Sequence, residues 1–240
     1  MKLIATLIFC TLIGLTSKPD NMIELLKAHI KKKETDKVIS FITKKPEVLS
    51  LKDDNGSSGL MIIAYSGLEK AFERAIELKK SFSFHEAIVC AKNEIVKEYL
   101  DNTDLDLKNT YSSDGFTPLS LAGFFNQTEI AKLLIEKGAD PNLSATNPSK
   151  VNALHSAIAK ENYELCEILL KKGANVNAVQ MQNVTALHSA VHRGNLNLVK
   201  LLIENGALIG LKMDNGDTAL IIAEREGHKS IKKYILSKQD

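Results

Sequence analysis

The sequence predicts an all-α solenoid of stacked helix-turn-helix units joined by short hairpin loops. Three observations carry that expectation. The stretch "VNALHSAIAKENYELCEILLKKGA" from Val151 returns as "VTALHSAVHRGNLNLVKLLIENGA" from Val184. The echo keeps a fixed period: Thr117, Asn152, Thr185 and Thr218 stand at steps of 35, 33 and 33 residues. With eight Phe, five Tyr and no Trp in 240 residues, the core has to be built from Leu, Ile, Val and Ala. A unit repeated at such a period cannot bury its apolar face alone and stacks on its neighbours to do so.

The chain opens on "MKLIATLIFCTLIGLTSKPD", a lysine followed by an apolar run from Leu3 to Leu15 and then small polar residues. This is the pattern of a secretory signal peptide over residues 1–17, cleaved after Thr16 or Ser17. The run is short of the about 20 apolar residues that a membrane span needs. Cys10 is not followed by an end to the apolar run, which argues against a lipid-modified cysteine. The expected location is therefore outside the cytoplasm, periplasmic or secreted. The Lys-, Ile- and Asn-rich composition suggests a bacterial source.

Residues 18–52, which hold most of "MIELLKAHIKKKETDKVISFITKKPEVLSLKDDNG" from Met22, read as an N-terminal capping helix pair with a charged outer face. Residues 53–213 hold the repeats and residues 214–240 a closing unit rich in lysine. The array is read as a cap, four central units and a closing cap. Only 24 residues separate Leu60 from Phe84, so the unit there lacks the usual protruding hairpin. Within one unit, Leu187, Ala190 and Val191 recur at helical spacing after Thr185, a natural N-capping hydroxyl. Leu196, Val199, Leu201, Leu202 and Ile203 form the apolar side of a second helix. It ends at Gly206, which is free to take the left-handed conformation of a helix end.

The openings "TPLSLA", "NALHSA" and "TALHSA" at this period resemble those of ankyrin repeats, and the resemblance covers nearly everything after residue 17. It implies a non-catalytic protein–protein interaction module. It also implies that a partner protein meets a concave face made of hairpin tips and the exposed ends of first helices. On this chain those positions are Phe116, Phe124 and Phe125, then Val151, Ala159 and Lys160, then Val179, Met181, Val184, His192 and Arg193. Three phenylalanines in one unit are either a contact patch or a cover over the neighbouring short unit. The linker "NLSATNPSK" from Asn142 to Lys150 is expected to project beside them as a rim. The role is that of a scaffold or adaptor, with a tight inhibitor or immunity-type protein as the alternative.

Other chemistry finds little support. His85, His155 and His188 occupy one recurring slot, as scaffold residues would. "DDNG", "SDG" and "DNG" at 53, 113 and 214 are turn sequences. No phosphate-binding loop, nucleophile elbow or metal-ligand spacing occurs, so neither an enzyme nor a metal or cofactor is expected. Thirty-one basic against 29 acidic residues give a net charge of +2, with no reason to expect nucleic acid. The expected state is a monomer with no stable membrane insertion after cleavage. Cys90 and Cys166, two units apart, would lie about 20 Å from each other if helices stack about 10 Å apart. A disulfide needs Cα atoms within about 7 Å, so both should be free.

Overall fold

The computed structural model describes residues 19–102 and 106–238; the expected signal peptide lies outside them, as do the last two residues of the closing unit. Fourteen helices among the described residues form seven consecutive pairs. They are α1 (Pro19–Lys31) with α2 (Thr35–Lys44), α3 (Gly59–Tyr65) with α4 (Glu69–Leu78), and α5 (Phe84–Val89) with α6 (Asn93–Asp101). Then follow α7 (Pro118–Phe124) with α8 (Thr128–Glu136) and α9 (Ala153–Ala159) with α10 (Tyr163–Lys171). Last come α11 (Ala186–His192) with α12 (Leu196–Glu204) and α13 (Ala219–Arg225) with α14 (Lys229–Leu236). First helices stack on first helices from α1 to α13, and second helices make a second row that is thinnest between α4 and α6, giving two layers. Between the terminal pairs stand five pairs rather than the four read from the sequence. The pairs on either side of the short unit's connector are both complete, so the missing hairpin does not remove a repeat.

A first helix of six or seven residues cannot persist by itself. Its start is fixed by a side-chain cap. Ser58, Ser83, Thr117, Asn152, Thr185 and Thr218 each accept a hydrogen bond from the backbone N–H three residues on. In four of these the third residue bonds back to the cap: Glu86, Ser120, His155 and His188. This corrects the sequence reading of His85. The slot of His155 and His188 belongs to Glu86, because α5 is one residue shorter than its sisters. His85, two residues past the Ser83 cap, stands one place short of that slot. The two tasks of the sister histidines are divided here, with Glu86 closing the cap and His85 facing the Thr110 carbonyl.

The core is aliphatic: Leu119, Leu134, Leu154, Ile158, Leu165, Leu187 and Leu202 are buried, with alanines between them. It divides into two clusters that overlap along the chain, one from Met22 to Ala75 that also takes Cys90 at the end of α5, and one from Met61 of α3 to Ile235, with Phe72 and Phe82 packed against both. The two interlock between α3 and α5, on either side of the connector 79–83, five residues where other pairs are joined by fourteen or sixteen. A buried polar knot takes the place of the hairpin. Lys79 Nζ lies 3.0 Å from Glu86 Oε1, with side chains 5% and 7% exposed. Lys79 also donates to the Leu49 carbonyl and to Ser50 Oγ, and Glu86 accepts from Ser58 Oγ and the Ser83 N–H. Such a pair is tolerable in the interior because each partner's remaining bonds are satisfied.

Elsewhere the hairpins form a ladder in which each tip donates one N–H to its predecessor. The bonds are Thr146 to the Gly115 carbonyl, Met181 to Ser149 and Asp214 to Gln182. One hairpin is regular enough to pair strands, β1 (Val179–Gln180) against β2 (Val184–Thr185), antiparallel. The linker 142–150 does not stand out as a rim. Ala145 is buried, and Asn147 Nδ2 donates to the Asp114 carbonyl, so its extra residues are spent on gripping the preceding tip.

One glycine tests the N-terminal stacking. A Cβ on Gly59 would stand 2.2 Å from the Val48 carbonyl oxygen. Gly59→Ala is expected to cost about 2 kcal/mol or more, since backbone rather than a flexible side chain must yield. Thermal unfolding by circular dichroism reads this directly; an unchanged midpoint would show that the approach is looser than described.

Candidate partner-binding surface

The C-terminal ends of the first helices carry the side chains that the sequence singled out. Seven residues past each cap comes the last residue of a first helix: Tyr65, Phe124, Ala159, His192 and Arg225. These ends touch in series. Tyr65 lies 6.1 Å from Phe124 and 5.5 Å from Phe125, ring centre to ring centre. Lys160 Nζ lies 4.7 Å from the centre of the Phe124 ring. Glu161 pairs with Arg193 at 3.8 Å, and His192 Nδ1 is 2.7 Å from Glu226. The result is a strip running from α3 to α13.

The structure divides the three phenylalanines. Phe125 is half-buried against Tyr65 and Phe72, and Phe116 is half-buried with its ring 6.4 Å from Tyr65. Phe124 is 41% exposed. One phenylalanine thus covers the short unit while another faces out. Tyr65 can reach across because α5 offers only the buried Val89 and Cys90 at its end. Burial and the Asp114 carboxylate push the Tyr65 phenol far above its ordinary range.

The remaining candidates are scattered along the hairpin row. Val179 and Met181 are exposed at 43% and 54% on the tip between β1 and β2. Val151 and Val184 are half-buried at hairpin bases, and His192 and Arg193 are exposed but engaged in the contacts above. Sequence reasoning missed Tyr65, Asp114, Glu161 and Glu226. The slot shared with Phe124 and His192 was a signal that could have found Tyr65.

The buried histidines are scaffold. Thr185 N–H donates to His188 Nδ1, and His188 Nε2 meets the Leu211 carbonyl at 3.0 Å; His155 repeats this with Asn152 and Ala178. Burial lowers both, His155 to about 4. Cys90 and Cys166 are free and buried, and burial pushes each thiol up to about 12, which leaves them unreactive. Among the described residues, no group of three or more His, Cys, Asp or Glu is placed to hold a metal ion. No described helix is long and apolar enough to cross a membrane.

Residues 84–180 and 177–240 match the family model described as ankyrin repeats in three copies. The chain belongs to the ankyrin-repeat family. It is similar to mouse (Mus musculus) ankyrin repeat domain-containing protein 17, at 38% identity over 63 residues, 26% of this chain and 2% of that protein. It is similar to ankyrin repeat and SAM domain-containing protein 6 of Rattus norvegicus, at 35% over 100 residues, 42% of this chain and 11% of that one. With the probable 26S proteasome regulatory subunit p28 of Saccharomyces cerevisiae it shares 27% over 141 residues, 58% of this chain and 51% of the subunit. The chain therefore spans from a small fraction to about half of these relatives. Ankyrin repeats are generally protein–protein interaction modules without catalysis.

Proposed function

We propose that this ankyrin array binds one partner protein across the row of first-helix ends and hairpin tips, the face that the family turns inward as a concave surface. The observation that carries the reading is the solvent exposure of Phe124, Val179 and Met181 on a chain otherwise sparing with aromatics. Large apolar groups held rigidly at a surface mark contact sites. Phe124 has the strongest claim, because its neighbours Phe116 and Phe125 already supply the packing. The role is that of a scaffold or adaptor. Residues 1–17 support placing the mature chain outside the cytoplasm, with its N-terminus near Lys18; Met1 intact on exported material would end that part of the reading.

Capture of partners by the tagged mature chain separates contact from packing. Phe124→Ser with Met181→Ser is expected to lose a stoichiometric partner by about 30-fold in affinity, the effect of a central interface aromatic. Its thermal midpoint should stay within about 2 °C of the parent. Phe125→Ser should do the reverse, costing about 1–3 kcal/mol of stability through lost packing on Tyr65 and Phe72. Undiminished capture by the Phe124/Met181 variant would remove this face from the interface.

A further inference from the structure

The strip holds an apolar notch between the ends of α3 and α7. Counted from the caps, Tyr65 stands seven residues past Ser58, Asp114 and Phe116 three and one before Thr117, and Leu121 and Phe124 four and seven past it. These five line a cavity of about 150 Å³ whose surface is wholly apolar. The Asp114 carboxylate adds nothing polar to it, being bonded to the Ser112 hydroxyl and the Tyr65 phenol. The same five slots recur around Thr218 as His192, Asn215, Asp217, Ile222 and Arg225, and these too line a cavity. There the polar members satisfy one another or a neighbour, Arg225 with Asp217 and His192 with Glu226. The notch is thus a feature of the array, and the copy at α7 is the apolar one of the two.

A water molecule inside such a notch finds no hydrogen-bond partner, and an apolar cavity of about 150 Å³ stays dry and takes a small apolar group instead. The rim adds a charge. Lys160 Nζ lies over the Phe124 ring without lining the cavity. Arg193 and Arg225, the other cations at these helix ends, are paired within the chain with Glu161 and Asp217. Lys160 has no carboxylate within ion-pair reach among the described residues, and it is exposed. We propose that the notch receives one apolar side chain of the partner, of about leucine's size, and that an acidic residue beside it on the partner pairs with Lys160. The dry walls set the first half of that complement and the unpaired ammonium the second. The proposal rests on the reading of this face as the partner-binding one and names the short motif that it takes.

The test uses random twelve-residue peptides displayed on phage and selected on the full chain. Enriched peptides should share a leucine, isoleucine or methionine with an aspartate or glutamate within two residues of it. A synthetic peptide of that consensus should shift the amides of Gly115, Phe116 and Phe124 in the ¹⁵N-labelled chain. Replacing its apolar anchor by serine should weaken it about 30-fold. Leu121→Phe, which fills the notch from its buried floor, should weaken it similarly with the circular dichroism spectrum unchanged. Lys160→Glu alters only an exposed side chain and keeps the test decisive if Leu121→Phe misfolds. It should cost the peptide about threefold and, in a fresh selection, exchange the acid for lysine or arginine. A consensus without an apolar residue of that size, no consensus at all, a preference for acid that survives Lys160→Glu, or undiminished binding to a folded Leu121→Phe would each overturn the proposal. The two readings fail separately. If no such motif is enriched while the Phe124/Met181 variant still loses its partner, the face stands and only its anchor is wrong.

Discussion

Glu86→Ala is expected to destabilise the protein by about 3–5 kcal/mol, the cost of leaving a buried ion without its partner. The substitution strands the Lys79 ammonium, removes the acceptor of the Ser58 hydroxyl and opens the cap of α5 at Ser83. The double change Lys79→Met with Glu86→Leu should recover most of the loss, since an apolar pair can replace a buried ionic one with little penalty. Urea unfolding of the three proteins measures this. A single variant that loses under about 1 kcal/mol would place the pair in solvent rather than in the interior.

Acid is expected to have an effect of similar size, through the histidines. Burial holds His155 at about 4, against 6.5 when freely solvated, and lowers His188 as well. The unfolded chain therefore takes up these protons first as the pH falls. Stability from His155 is fully present above about pH 6.5 and drains away down to about pH 4, roughly 2 kcal/mol being gone at pH 5. Glu86 adds a separate loss at lower pH. Burial alone would raise its pKa, but the bonds from Ser58, Ser83 and Lys79 outweigh that and lower it. Its contribution is present above about pH 4.5 and is lost as the pH falls through its folded value. His155→Ser copies the residue that α7 carries in the same slot, Ser120, and should flatten the decline between pH 7 and pH 5. An unchanged slope in that variant would show that His155 is not the group responsible.

The fold was legible because its signals are periodic. Caps at Thr117, Asn152, Thr185 and Thr218 and the apolar spacing that follows each of them repeat often enough to correct one another. Where the period breaks, reading by analogy breaks with it. A single residue missing from α5 shifted His85 out of register, and the absent hairpin obscured the number of pairs. The surface was harder to read. Phe124 and Phe125 are adjacent and chemically identical, and only the reach of Tyr65 across the small end of α5 decides which of them is covered. Asp114 read as a turn residue, but a turn sequence says nothing of the Tyr65 phenol that its carboxylate lies against once the tip is folded.

The divided core has a consequence for how the array holds together. In a one-dimensional stack, resistance to unfolding passes from unit to unit through each junction. At the short unit that junction is a polar knot, aromatic contacts and the stack of α3 on α5, where Met61 and Cys90 each pack into the cluster of the other side. The molecule should therefore behave as two cooperative blocks in loose gear, with the N-terminal block free to melt first. Tyr65 stands on one block, and Phe116, Phe124 and Asp114 stand on the other. A partner that touches both Tyr65 and Phe124 binds only when the blocks are engaged, and its binding free energy is added to the coupling between them. Occupancy would then work as a clutch, turning two melting steps into one.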